Sequence, residues 1–268
     1  FGASPDHPEE LGEMRPGPGE AGFAPFGPDA ESGFDDGFEE REGIGTDCST
    51  DPRYRYTAGL TSIPRRLIGA MSSSGNTRSG ACTGNKVGPR AVLTASHCVM
   101  SPSGVVTFTG RWNPGQTNST TPNGSIPRSG VFLRDYRPNG NLDYDYAVFF
   151  LQNTQAVYNL GWFGMSWSTS SSWYTNKTTY LKGYPCGSNM SCGQTSVQCC
   201  KASPLAGDLC DGYMYGDTDT LTSGAKASNN TLKVNHAQSP GQSGSAIYDY
   251  LGGSYTILGI VNGADNPN

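Results

Sequence analysis

The chain has 268 residues, 35% of them hydrophobic, with 37 Gly, 18 Pro and a formal net charge of −5. That length suffices for a substantial core, and the glycine and proline content argues for short strands joined by turns rather than a helical bundle. No apolar run approaches the roughly 18 residues of a membrane helix, so a membrane is not an expected partner, and no nucleic acid is expected as a partner either.

Residues 1–43 hold 12 acidic and 2 basic residues, net −10, whereas residues 44–268 are net +5. The acidic segment is rich in Pro, Gly, Glu and Asp, and apolar residues such as Phe23, Phe26, Phe34 and Phe38 are isolated in it. Such a segment cannot bury enough surface to offset its chain entropy. It reads as a disordered acidic pro-segment, 1–43, that shields a basic body, 44–268. The start at Phe1 predicts either a removed secretion signal or a fragment.

From Ile44 the texture changes to short β-like runs: Leu67–Met71, Ala91–Thr94, Val105–Phe108, Ala147–Leu151, Thr179–Gly183, Ala246–Tyr250 and Tyr255–Val261. The last two flank Leu251-Gly252-Gly253-Ser254, a hairpin signal. This spacing predicts an all-β sandwich or barrel. Residues 186–230 carry five cysteines and little apolar periodicity, and read as a stapled, loop-rich insert. The eight cysteines (48, 82, 98, 186, 192, 199, 200, 210) include no C-x-x-C pair and have three histidines beside them. They favour disulfides and a secreted chain over a zinc site, so no metal or cofactor is expected. Sequons at Asn118, Asn123, Asn176, Asn189 and Asn229 fit secretion and a glycoprotein.

The candidate chemistry starts at Ser239-Pro240-Gly241-Gln242-Ser243-Gly244-Ser245, between strand-like runs at 231–234 and 246–248. A serine hydroxyl is a poor nucleophile unless a base takes its proton and amides hold the oxyanion it creates. Glycine on either side lets the backbone approach a substrate carbonyl, although the same composition builds ordinary turns. Among the histidines, His7 lies in the acidic segment, His97 ends the apolar run Val92-Leu93-Thr94-Ala95-Ser96-His97-Cys98, and His236 precedes Ser243 by seven residues. A histidine base needs a carboxylate to fix its tautomer. Asn141-Leu142-Asp143-Tyr144-Asp145-Tyr146-Ala147-Val148 offers Asp143 and Asp145.

Thr94-Ala95-Ser96-His97-Cys98 resembles the histidine motif of chymotrypsin-like serine proteases, Thr-Ala-Ala/Gly-His-Cys. The order His, Asp, Ser is also that family's order. Further landmarks are similar to its glutamyl-endopeptidase branch: Arg53–Thr57 through Ile63-Pro64, Ala81–Pro89, Tyr144–Ala147, Gly161–Gly164, Gly183–Pro185 and Gly241–Ser245. The resemblance implies two six-stranded antiparallel β-barrels with a site in the cleft between them. It selects Asp145 over Asp143, pairs Cys82 with Cys98, and assigns the triad His97, Asp145 and Ser243, with the Gly241 and Ser243 amides as oxyanion hole. Ile44-Gly45-Thr46-Asp47 is similar to the start of mature enzymes of that branch, which puts a processing junction near Arg41, Glu42 and Gly43.

The substrate pocket implied by the resemblance is lined by Ala237, Gln238, Val261, Asn262 and Gly263. The branch carries a histidine on the strand after the nucleophile and a threonine five residues before it, whereas this chain has Ile257–Gly263 without histidine and Gln238. Strict glutamyl preference is therefore not expected, because a carboxylate buried there lacks a cationic partner. Ala237 replaces the acid of trypsins, and His236 is a further candidate to reach the pocket. Gln242 cannot form the ammonium–carboxylate pair of trypsin-style activation. The chain ends 25 residues after Ser243, which predicts an incomplete second barrel.

The expected protein is a secreted, monomeric serine endopeptidase made as a proenzyme and acting on proteins or peptides. The alternatives are an inactive homologue that binds partners through its cleft and a disulfide-rich adhesive module. The pairing of Cys48, Cys186, Cys192, Cys199, Cys200 and Cys210 stays open, with fifteen connectivities.

Overall fold

A computed structural model describes residues 42–43, 54–72, 80–132 (except 102 and 119), 144–185, 212–221, 232, 234, 236, 238 and 241–262. The pro-segment residues 1–41, Asp143, Ala237, Gly263 and six of the cysteines lie outside the described residues. The strands are β1 (Glu42–Gly43), β2 (Tyr54–Tyr56), β3 (Ile68–Ser72), β4 (Gly80–Lys86), β5 (Ala91–Thr94), β6 (Arg111–Pro114) and β7 (Ile126–Phe132). They continue as β8 (Ala147–Leu151), β9 (Gly164–Met165), β10 (Thr178–Gly183), β11 (Met214–Thr220), β12 (Ala246–Leu251) and β13 (Ser254–Ile260).

Strands β3–β8 close into an antiparallel six-stranded barrel in the order β3-β4-β5-β8-β7-β6. Successive strand residues face opposite sides, so Ala147, Phe149 and Leu151 of β8 are buried while Val148 and Phe150 are half-buried. The barrel fills with Met71, Val92, Trp112, Ile126, Phe149 and Leu151, and Phe108 packs on Phe149 at 5.4 Å between ring centroids. The Trp112 indole lies across β3 and β4 and donates to the Gly84 carbonyl at 2.9 Å. A Cβ at Gly69 would come within 2.3 Å of that indole, so glycine is required there.

The second half is a seven-stranded sheet, β1-β2-β11-β10-β12-β13-β9, antiparallel except for the parallel pairing of β9 with β13. Its hairpin from β12 to β13 turns on Gly252 and Gly253, both at positive φ (57° and 87°). Tyr180, Tyr248, Tyr250 and Tyr255 form a contiguous aromatic group, with Tyr180 stacked on Tyr248 at 5.5 Å. One core cluster joins the halves: Leu67, Ile68, Ala70, Val87 and Ala91 pack with Phe163, Tyr184, Met214, Ala246 and Tyr248.

The all-β expectation holds, and Ala91–Thr94 and Ala147–Leu151 are strands with the expected bounds. Two expectations are corrected. Val105–Phe108 forms no strand, only an isolated bridge from Val106 to Met100, because Val105 and Val106 face solvent and the Thr107 and Phe108 amides both turn to the Val99 carbonyl. The supposed loop-rich insert 186–230 contains β11, which pairs with β10 and β2. Among the sequons, the Asn123 amide nitrogen that would carry a glycan donates to the Leu60 and Pro114 carbonyls at 2.7 and 3.1 Å, whereas Asn176 is exposed at φ 64°.

Candidate active site

Register brings the histidine to the acid. Strand β5 pairs with β8 so that Thr94 lies opposite Ala147. Beyond that pair Ala95 stays extended, and Ser96–Cys98 makes a 3-10 turn that swings His97 back over the start of β8. Asp145, two residues before Ala147, therefore meets it. Asp145 Oδ2 lies 2.7 Å from His97 Nδ1, while Oδ1 accepts from the His97 amide at 2.9 Å and from the Ser96 hydroxyl at 2.6 Å. Asp145 is buried and His97 faces solvent, with its side chain 34% exposed. Burial pushes the Asp145 carboxyl up, but the hydrogen bonds from His97 and Ser96 outweigh it and hold the group below the usual carboxylate range. A carboxylate fixed in this way keeps the proton on Nδ1 and leaves Nε2 as a base.

The serine approaches from the other half. The Thr83 amide donates to the Ser243 carbonyl at 2.8 Å, and Thr83 Oγ1 donates to the Gly241 carbonyl at 3.4 Å. Cys82 and Cys98 are joined in a disulfide, and Cys98 Sγ lies 3.7 Å from the Ser243 carbonyl oxygen. That bond ties the neighbours of Thr83 and His97 together, and so ties the histidine turn to the serine loop. Gly241 and Gly244 adopt positive φ (89° and 82°). A Cβ on Gly244 would meet the Thr83 carbonyl oxygen at 2.3 Å. Among the described residues, the Gly241 and Ser243 amides have no partner in the backbone hydrogen bonds that brace the loop, as amides that are to receive an oxyanion require. Ser243 is half-buried between buried neighbours, Gln242 and Gly244.

Residues 61–268 match the family model described as Trypsin. The chain belongs to the trypsin family. Among curated proteins, this trypsin-family chain is 35% identical over 138 residues to a glutamyl endopeptidase of Bacillus licheniformis, covering 51% of the chain and 41% of that protein. It is 27% identical over 226 residues to an extracellular metalloprotease of Bacillus subtilis, covering 82% and 63% respectively. The chain thus spans less than two thirds of either relative. A solved Glu endopeptidase superposes with a TM-score of 0.60 at 23% identity, covering 81% of this chain and 88% of that one. The protease Anisep of Arthrobacter nicotinovorans gives 0.52 at 19% identity, covering 75% and 85%. Both structural likenesses speak to the fold.

Within this trypsin-family fold, Val261 is buried and contributes to the core with Leu181 and Ile247, and Asn262 is half-buried beside it. Gln238 is half-buried, with its Oε1 shielded from solvent. Cys82, His97 and Cys98 bring ligand-type atoms within 4.8 Å of one another, but the two sulfurs are bonded to each other and His97 Nδ1 faces Asp145, so this trio is not a ligand set for a metal.

His236 is not offered to a substrate. Its side chain is fully buried, Nδ1 lies 2.6 Å from Asp217 Oδ1 on β11 and Nε2 lies 2.9 Å from Thr179 Oγ1 on β10. It ties the segment leading to the serine loop onto the sheet. Removing one member of a buried, hydrogen-bonded His–Asp pair strands the other. Asp217→Ala is therefore expected to cost about 3 kcal/mol, read as a lower urea midpoint with an unchanged slope. Sequence reasoning missed Ser96, Thr83, Asp217 and Thr179. Only Ser96 carried a local signal, as a serine where the motif has alanine or glycine.

Proposed function

We propose that this chain is a secreted serine endopeptidase, made as a proenzyme, that hydrolyses peptide bonds through His97, Asp145 and Ser243. The observation that carries the reading is the hydrogen-bonded pair of His97 Nδ1 and buried Asp145 Oδ2 at 2.7 Å, at the edge of the serine loop. His97 Nε2 takes the Ser243 hydroxyl proton as the oxygen attacks the peptide carbonyl, and Asp145 stabilises the imidazolium. The Gly241 and Ser243 amides receive the oxyanion. His97 then protonates the leaving amine, and water, deprotonated by the same imidazole, releases the acyl group from Ser243.

The preferred substrate residue is neutral in this reading. Gln238, Val261 and Asn262 bring no charge to the pocket, and His236 has both ring nitrogens committed elsewhere. The name of one relative, an extracellular protease, supports secretion, and the acidic segment 1–43 supports a masking role before processing. Because Gln242 is neutral, release of the mask acts by unblocking the cleft rather than by a new buried ion pair.

A fluorophosphonate probe tests the reading. After removal of residues 1–43 the chain is expected to take up one equivalent, with the adduct on Ser243 by peptide mapping and competition by a peptide substrate. No adduct, or an adduct elsewhere, would sink it.

A further inference from the structure

The three peptide units that follow Ser243 are each held on both sides. In the 243–244 unit the carbonyl accepts from Thr83 N at 2.8 Å and the amide donates to the Val261 carbonyl at 2.6 Å. In the 244–245 unit the Ser245 amide donates to the Gln242 carbonyl at 2.9 Å, and the Gly244 carbonyl accepts from Asn85 Nδ2 at 2.5 Å. In the 245–246 unit the Ser245 carbonyl accepts from Val261 N at 2.9 Å, and the Ala246 amide donates to Asn85 Oδ1 at 3.2 Å.

One side chain from the first barrel thus fills two of these six positions. Asn85 is fully buried on β4, and its amide nitrogen also donates to the Leu93 carbonyl on β5 at 3.3 Å. The contacts form a short chain to the reacting centre. Asn85 fixes the 244–245 unit, whose amide holds the Gln242 carbonyl; that carbonyl belongs to the same rigid peptide plane as the Ser243 amide. Turning the Gln242 carbonyl turns the Ser243 N–H with it.

We propose that Asn85 is a positioning residue that aims the Ser243 amide into the oxyanion hole from across the barrel interface. The inference rests on the serine-peptidase reading and extends it to a residue that touches neither substrate nor hydroxyl. A carboxamide suits the place because it supplies a donor and an acceptor to neighbouring backbone groups without carrying a charge. Leucine or valine there would leave the Gly244 carbonyl and Ala246 amide buried without partners.

The test uses the chain after removal of residues 1–43, the processed form of the peptidase reading, in which edge strand β1 is lost and β2 becomes the edge of the sheet. Asn85→Ala is expected to lower kcat about 10- to 100-fold, below or at the lower end of the loss from deleting an oxyanion donor outright, with KM within about twofold. Affinity for a peptide aldehyde, whose hemiacetal oxygen occupies the oxyanion hole, should fall in step with kcat, because both depend on the aimed amide. Asn85→Asp serves where the alanine variant is too unstable. A buried carboxyl that is protonated donates to Gly244 O as the amide did, so the ratio of variant to parent kcat should approach one at low pH and fall as the carboxyl ionises. Unchanged kcat and aldehyde affinity in folded Asn85→Ala, a raised KM with kcat intact, or a pH-independent Asn85→Asp ratio near one would each overturn the inference. A parent chain that fails to take up fluorophosphonate overturns the peptidase reading as well, which separates the two failures.

Discussion

Asp145→Asn is expected to lower kcat about 10⁴-fold while leaving the fold and KM nearly unchanged. The reason lies in which atoms the carboxylate serves. Oδ1 accepts from the His97 amide and the Ser96 hydroxyl, and an asparagine keeps both bonds only by placing its own oxygen there. Its NH₂ group then faces His97 Nδ1, which must become an acceptor. The ring proton moves to Nε2, and the nitrogen that should take the Ser243 proton is already occupied. Single-turnover acylation by a chromogenic peptide ester reads the step directly. A loss below tenfold would show that Asp145 does not set the tautomer. The same carboxylate also links stability to acid: its folded pKa is depressed, so its contribution is present above the unfolded carboxylate range and is lost as pH falls through the folded value.

Lys86→Met is expected to stabilise the protein at and below neutral pH by of order 4 kcal/mol, with the gain shrinking in alkali. Lys86 is fully buried on β4, where its ammonium donates to the Gly88 carbonyl at 2.8 Å and lies 5.2 Å from the Trp162 ring centroid. These contacts replace only part of the lost hydration, and burial lowers the pKa from 10.5 to about 7. The sign follows from proton counting. Between about pH 7 and 10.5 the unfolded chain binds a proton that the folded chain does not, so stability rises with pH across that window. Below pH 7 both states are charged and the full burial penalty remains. Methionine fills a similar volume without a charge, so its stability curve should lack this rise. Urea unfolding of both proteins from pH 6 to 9.5 compares the curves, since other groups titrate alike in each; parallel curves would refute the assignment.

Legibility in the sequence followed locality. The histidine follows the end of one apolar strand, Ala91–Thr94, and the aspartate precedes the start of another, Ala147–Leu151, and each strand announces itself by its own residues. The serine is marked by glycines whose positive φ the loop requires. Strand β4 was hidden because it reads Gly-Ala-Cys-Thr-Gly-Asn-Lys, yet Thr83, Asn85 and Lys86 are buried. Their partners, Gly241, Gly244 and Gly88, include groups more than 150 residues away, and no local pattern foretells a satisfied polar core. The same holds for β11, where Asp217 looks like a surface acid until His236 is seen against it. Arg111–Pro114 was obscured by Asn113, which is buried and bonded to Gln116 and Ser72.

The aromatic side chains divide unevenly between the halves, and this bears on how the opening of each can be followed optically. Trp112 is sealed inside the first barrel, while the contiguous group of Tyr180, Tyr248, Tyr250 and Tyr255 belongs to the sheet that carries Ser243. An indole in an apolar cavity emits to the blue, and tyrosines held at fixed angles are dichroic in the near ultraviolet. Trp162, Trp167 and Trp173 also emit and lie after β8, outside the first barrel, so replacing those three with phenylalanine leaves Trp112 to report the barrel while the tyrosine dichroism follows the sheet.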